Sequence, residues 1–253
     1  MFSSSANFKL GPAIVALAAL LVARGLVRPF EHRLSADNAG GKFSSEQLVA
    51  ATSQGGTLAL LGGMRSMLAS GCWLRTNLAW EKRDLAGTTE LIDLTVAADE
   101  RPLYFWLNGA RILANDMPEW RMTGLAPRAY RAVANEEQAQ LALRFLEKGL
   151  RWHGADPAIY VEMANIHLRR RGDVEAAAHF YRLAAEQPGA PYYAARIHGE
   201  LLRELHRSAE ALAWLRQTLP TLPKNDPMAA RDLVEARIKA LEREVANRPP
   251  DAF

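Results

Sequence analysis

From Leu58 onward, apolar residues recur at the three- and four-residue spacing of amphipathic helices. Breaks rich in proline, glycine and aspartate separate the apolar segments, among them Asp156-Pro157 and Gly172-Asp173. No run combines sustained alternation of apolar and polar positions with an enrichment in β-branched residues. The pattern therefore predicts an all-α body.

A small residue marks the same place in successive predicted helices. Ala142, Ala177 and Ala211 lie 35 and 34 residues apart, and each is followed four positions later by a large residue. Thr88 fits as an earlier member, 54 residues before Ala142. Its interval exceeds one period by about 20 residues, which we assign to an insertion at residues 116–134. The spacing predicts a repeating unit of about 34 residues with two helices.

One unit, residues 158–189, shows the pattern most fully. Its first helix carries Tyr160, Met163, Ala164 and His167, and its second carries Ala177, Tyr181 and Ala184. This arrangement of large, small and aromatic positions resembles the tetratricopeptide repeat family, and the resemblance extends over residues 66–223. It implies that residues 58–253 form an α-solenoid of stacked helix pairs. The charged final segment, residues 226–246, would be a capping helix, with Asp226 and Pro227 at its start.

The N-terminal segment is apolar. Residues 10–23 carry no charge, and in the 18 residues that end at Val27 only Arg24 is charged. As a helix this stretch would be about 27 Å long, close to the thickness of a bilayer core. Because no small-residue cleavage site follows it, we predict an uncleaved signal anchor in residues 1–34 and a linker in residues 35–57. A buried helix of a soluble protein is the alternative interpretation.

The orientation of such an anchor depends on two opposing features. The arginines that follow the apolar segment favour a cytoplasmic body, whereas the short tail before it favours export. We predict a single N-terminal span with the repeat domain outside the cytoplasm.

Composition and charge restrict the chemistry. The chain has 31 basic and 28 acidic residues, too even a balance to predict a nucleic-acid-binding surface. Its one cysteine, Cys72, excludes an intramolecular disulfide framework and a cysteine-rich metal site. The sequence lacks a phosphate-binding loop and the common zinc-protease and serine-hydrolase motifs. We therefore predict no enzyme, no cofactor and no metal.

Histidines and paired acids are the remaining candidates for chemistry. His167 and His198 occupy equivalent first-helix positions, which favours packing, although adjacent units could also bring them together as two metal ligands. Glu136 and Glu137 are neighbours on a helix, so their side chains diverge by about 100° and make a poor acid–base pair.

The resemblance implies that the first helices line a concave groove that binds peptide segments. The polar residues that map to this groove are Arg75, Asn108, Arg111, Glu162, Asn165, Arg169, Arg196, Glu200 and Arg203. Five of these nine are arginines, whose planar guanidinium groups suit carboxylates, including a chain terminus. The alternative is a solvated face with pairs such as Arg196–Glu200.

The insertion is a second candidate for partner binding. Trp120, Met122 and Tyr130 lie among arginines there, and these residue types are enriched at interface anchors. The segment could equally fold back and close one side of the solenoid.

Together these features predict a non-enzymatic, membrane-anchored scaffold that binds protein partners in an envelope complex. The alternative is a structural subunit or assembly factor of a larger membrane complex. An enzyme with its site in the insertion is a third hypothesis.

Overall fold

The computed structural model describes residues 64–122 and 127–247, and within these ranges the chain forms helices and turns without a β-strand. The all-α prediction is confirmed. The predicted signal anchor and linker lie outside the described residues. Among the helices that are described, none combines the length and the apolar character needed to cross a bilayer.

The helices follow one another closely along the chain. In order they are α1 (Arg65–Glu81), α2 (Leu85–Ala98), α3 (Leu103–Arg111), α4 (Met117–Arg121), α5 (Arg128–His153), α6 (Pro157–Ile166), α7 (Val174–Ala185), α8 (Tyr192–Glu204), α9 (Ser208–Thr218) and α10 (Arg231–Ala246). Two of them, α3 and α6, continue into π-helical turns, at Ile112–Asp116 and His167–Arg171. Short 3-10 turns, Leu219–Thr221 and Pro227–Ala229, lie between α9 and α10.

Aspartates begin several of these helices. The carboxylates of Asp84, Asp156 and Asp173 each accept a hydrogen bond from a backbone N–H in the first turn that follows. Gly172, with φ 66°, lets the chain turn between α6 and α7 at little conformational cost. The aspartates explain why helices begin at these breaks in the sequence, and Gly172 explains why one ends there.

Each helix packs mainly against its neighbours in the sequence. α1 packs on α2, α3 on α5, α6 on α7, and α8 on both α7 and α9, and α10 packs on α9. In addition, α3 contacts α6, which is not its neighbour in the sequence. This repeat-like arrangement is compatible with an α-solenoid.

The repeat anchors sit at the centre of this packing. Thr88, Ala142, Ala177 and Ala211 are all completely buried. Glycines serve the same purpose on the first helices, since a Cβ on Gly109 would lie 2.9 Å from Cγ2 of Ile92. Small residues thus occupy positions where neighbouring helices pack tightly against each other.

The described parts of the insertion, residues 116–122 and 127–134, are largely helical. Its first part forms α4, where Met117 and Pro118 are buried, and its last part is the start of α5. α4 packs against α5. Met117 and Pro118 therefore belong to the core, and for α4 the fold-back interpretation fits better than a free binding loop.

The predicted start of the final helix was wrong. Asp226 caps only the 3-10 turn Pro227–Ala229, Ala230 then adopts a left-handed conformation with φ 47°, and α10 begins at Arg231. The Arg231 guanidinium donates to the carbonyl oxygens of Leu219 and Leu222, at 2.8 and 2.6 Å. This tertiary contact, which local sequence does not reveal, fixes where α10 begins.

Candidate functional site

A polar pocket lies between α3 and α6. Its volume is about 310 Å³. Its lining residues are Arg111, Asn115, Glu162, Asn165, Ile166 and Arg169. Four of the nine predicted groove residues therefore meet in one place.

Both walls of the pocket include a π-helical turn. Asn115 lies in the turn that follows α3, and Arg169 lies in the turn that follows α6. A π turn contains an extra residue compared with an α turn, so it changes the direction in which the following side chains point, and such turns are frequent at functional sites. The two turns each contribute a lining residue to the pocket, and the helices that precede them, α3 and α6, are in contact.

An ion pair connects the two walls. Nε of Arg111 donates to Oε2 of Glu162 at 2.9 Å. The Glu162 side chain is 6% exposed and that of Arg111 is 51% exposed. The buried carboxylate thus has its charge balanced by an arginine whose Nη groups make no hydrogen bond within residues 64–122 and 127–247 and can donate to a ligand.

Asn165 is oriented by a residue on the second helix of its pair. The Tyr181 hydroxyl donates to Oδ1 of Asn165 at 2.7 Å. Burial raises the pKa of Tyr181, which keeps this hydroxyl protonated at neutral pH. This contact fixes the side-chain amide, whose NH₂ group can donate to a ligand.

Arg169 gives the pocket its excess positive charge. Its side chain is exposed, and no carboxylate in the described part of the chain pairs with it. Two arginines and one glutamate leave the lining with a formal charge of +1. The pocket can therefore accept a carboxylate between hydrogen-bond donors, beside the apolar side chain of Ile166.

The other five predicted groove residues lie away from this pocket. Arg75 is on the exposed side of α1, and Asn108 donates to the carbonyl of Tyr104 one turn earlier on α3. On α8, Glu200 forms ion pairs with Arg203 and with Arg237 of α10. Arg196 is half-buried. For a solvated face we expected a pair between Arg196 and Glu200; Glu200 instead forms the two ion pairs just named.

Sequence reasoning missed two lining residues, Asn115 and Ile166. Asn115 follows Trp106 by nine positions, as Arg169 follows Tyr160 in the next unit. Extending the alignment of the first helices past their aromatic positions would therefore have found Asn115. No comparable signal marks Ile166.

The insertion residues have separate surroundings. Trp120 is half-buried against the core, with its ring 6.3 Å from that of Trp80. Met122 is half-buried just after α4. Tyr130 is 42% exposed at the start of α5, with the Arg121 guanidinium 5.9 Å from its ring centre. Of the three residues, Tyr130 has the most surface to offer a partner.

The two histidines are packing residues. His167 stacks on Phe180 at 5.2 Å, and His198 lies against Trp214, with Nδ1 2.8 Å from the carbonyl oxygen of Ala178. Burial lowers the pKa of both. Within residues 64–122 and 127–247, no group of three histidine, cysteine or acidic side chains is placed to hold a metal ion.

The neighbouring acids are also separated. Glu136 pairs with Arg171 and Glu137 pairs with Arg121, so their carboxylates point to different partners. Cys72 is half-buried on α1, and desolvation raises its pKa, which disfavours the thiolate.

Comparison with known proteins adds no relative to this picture. The chain matches no protein-family model, and neither a curated protein nor a solved structure shows significant similarity to it.

Proposed function

We propose that this chain is a tetratricopeptide-like scaffold that binds an extended segment of a partner protein, with a carboxylate of that segment in the pocket between α3 and α6. The observation that carries the proposal is the convergence of Arg111, Asn165 and Arg169 on one polar pocket with excess positive charge.

The repeat architecture supports this proposal. Assigned as units, the helix pairs are α1/α2, α3/α5, α6/α7 and α8/α9, with α10 as the cap. The completely buried anchors of the second helices support the assignment. The burial pattern of α10 supports its assignment as the cap. Its buried residues are Val234, Ile238 and Leu241, and the remainder of its surface is largely charged.

The pocket offers a specific set of contacts to a peptide. Arg169 and the Nη groups of Arg111 would bind the carboxylate, either of a chain terminus or of an acidic side chain. The amides of Asn115 and Asn165 would hydrogen-bond the peptide backbone.

The cellular setting is part of the proposal. The apolar residues 10–27 support a single N-terminal anchor. In this proposal the repeat domain lies outside the cytoplasm, in an envelope complex. A role as a structural subunit or assembly factor is the second candidate. The exposed apolar side chains of α1, among them Met67 and Leu74, favour it because such surfaces are commonly covered in assemblies.

Affinity capture of the full-length, detergent-solubilised protein tests the proposal. The test variant is Arg169→Ala with Asn115→Ala, because neither side chain makes a hydrogen bond or an ion pair in the described part of the chain. Arg151→Ala, an exposed arginine at the end of α5, is the matched control. We expect the partner to be captured by the wild type and by the control, and lost with the double variant.

Equal capture by all three proteins would contradict the pocket assignment. Arg111→Ala is unsuitable as the test variant because it would leave the buried Glu162 without its cation, so that loss of capture could reflect unfolding.

A further inference from the structure

α5 packs against both of the π-helical turns that contribute to the pocket walls. The turn after α3 supplies Asn115 to the lining, and the turn after α6 supplies Arg169. The described residues of α5, Arg128–His153, contribute none of the side chains that line the pocket. α5 therefore supports the walls of the pocket without contacting the space between them.

The turn after α6 ends in three consecutive arginines that have different surroundings. Arg169 is exposed and lines the pocket. Arg170 instead donates to Asn135 of α5. Arg171 donates to the next residue of α5, Glu136. Two of the three arginines thus attach to α5 the turn that presents the third to the pocket.

The contact between Arg171 and Glu136 has a defined geometry. Nε of Arg171 donates to Oε2 of Glu136 at 3.0 Å, and Nη2 lies 2.9 Å from Oε1. Two parallel bonds fix the direction of a guanidinium group as well as its distance. Gln140, one turn later on α5, donates to the same Oε1 at 2.7 Å. Hydrogen bonds from Arg171, and one from Gln140, hold the pKa of Glu136 below its usual value, so the ion pair is present at neutral pH.

Arg170 provides the second attachment. Its Nη2 donates to Oδ1 of Asn135 at 2.8 Å and lies 3.5 Å from a carboxylate oxygen of Glu119 on α4. The Arg170 side chain is largely buried, with 18% of its surface exposed. The turn is therefore connected to α5 and α4 at the residue that directly follows Arg169.

The backbone restricts this turn only weakly. Gly172 follows it, and the N–H groups of Gly172 and Asp173 both donate to the carbonyl oxygen of His167. Glycine has access to many backbone conformations, so these bonds alone leave the end of the turn free to change direction. The side-chain contacts with α5 are the tertiary restraint on its direction.

We propose that Asn135 and Glu136 of α5 are positioning residues for the pocket. By binding the two arginines that follow Arg169, they fix the π turn so that Arg169 points toward the carboxylate of the ligand. This inference rests on the proposed function, because it assigns the two residues to carboxylate binding. A side chain that is held in place before binding loses less conformational freedom on binding, which strengthens the complex.

The sign of one substitution separates positioning from simple electrostatics. Glu136→Ala removes a negative charge near a pocket that binds carboxylates, so charge alone would strengthen binding or leave it unchanged. Loss of positioning weakens binding instead. Glu137→Ala is the matched control, since it changes the net charge equally and breaks the ion pair with Arg121 of α4, at 2.7 Å, rather than a contact with the turn.

Calorimetric titration of the full-length, detergent-solubilised protein measures the effect. The probe is the peptide that the wild type binds most tightly in an array of short acidic peptides with free carboxyl termini. We expect Glu136→Ala to raise the dissociation constant about five- to tenfold. Asn135→Ala, which changes no charge, should weaken binding too, and Glu137→Ala should bind as the wild type does.

Two further readouts distinguish positioning from a general structural role. In Glu136→Ala, the amides of Gly172 and Asp173 should exchange hydrogen for deuterium faster, while amides in the middle of α5 stay as protected as in the wild type. In an Arg169→Ala background, adding Glu136→Ala should change the dissociation constant no further, because the positioned side chain is absent.

The possible outcomes separate this inference from the proposed function. A wild type that binds peptides with or without a carboxylate equally, or binds none, overturns the proposed function and this inference with it. Carboxylate-dependent binding that Glu136→Ala leaves unchanged overturns this inference alone. Unchanged exchange at Gly172 and Asp173, equal weakening by Glu137→Ala, or a further loss in the Arg169→Ala background would also overturn it.

Discussion

At the scale of single residues, the candidate site depends on a buried charge. Glu162 lies almost out of reach of solvent, and the Arg111 guanidinium at 2.9 Å is its ion-pair partner. The sequence placed both residues in the groove, because their positions in the first helices are readable from the repeat. It did not show that they bind each other, since they are 51 positions apart and on different helices.

The Glu162–Arg111 ion pair should determine how substitutions at the two positions change the free energy of unfolding. Arg111→Ala should lower the free energy of unfolding by about 2 kcal/mol, because it leaves an uncompensated buried carboxylate. Urea denaturation with circular dichroism measures this. Adding Glu162→Gln to Arg111→Ala removes the buried charge and should restore part of the loss. If the double variant is no more stable than Arg111→Ala, the charge of Glu162 is not what makes the single variant unstable.

Asp99 predicts a dependence of stability on pH. Hydrogen bonds from Arg101, and one from Ser66 of α1, hold its pKa at about 2, below the usual 3.8. The folded state thus favours the carboxylate, and the resulting stabilisation is complete above pH 4 and is lost as the pH falls toward 2.

Comparing wild type with Asp99→Asn isolates this contribution. Urea midpoints at pH 6 and pH 2.5 should differ more in the wild type than in the variant, which has no proton to bind at this position. The same pH dependence in both proteins would show that Asp99 does not contribute to it.

At the scale of elements, the sequence predicts where helices lie better than it predicts the residues at which they begin and end. Apolar spacing and aspartate caps locate most helices, because both are local features, as Asp84 and Asp173 show. The π turns after α3 and α6 have no such local signal. The start of α10 was misplaced because Arg231 reaches back to carbonyl groups at the end of α9.

Capping gives a prediction at this scale. Asp173 accepts the Ala176 N–H at 3.0 Å and begins the 12-residue helix α7, so Asp173→Ala should lower the free energy of unfolding by about 1 kcal/mol. Asp226→Ala is the matched control, because Asp226 caps only a 3-10 turn of three residues. Chemical denaturation should show the smaller effect for the control. Equal effects would mean that the cap of α7 contributes no more than that of the short turn.

At the scale of the whole described domain, the repeat explains which groove residues converge. Positions on α3 and α6 meet because these first helices contact each other directly. The predicted residues of α8 do not join the pocket, since Glu200 is held by Arg203 and by Arg237 of α10. A repeat alignment assigns equivalent positions, but it does not show which ion pairs those residues form with the helices that follow.

The central claim is that the pocket recognises a carboxylate on a peptide segment. The most direct measurement is binding of the full-length protein to an array of peptides. Each peptide is synthesised with a free carboxyl terminus and with an amidated one. Each is also made with Asp and Glu and with Asn and Gln in their place. We predict that the wild type binds only peptides that carry a carboxylate. Arg169→Ala with Asn115→Ala should lose most of the binding and the preference for a carboxylate. Arg151→Ala should bind as the wild type does. Binding that ignores the carboxylate, or that persists unchanged in the pocket variant, would contradict the account.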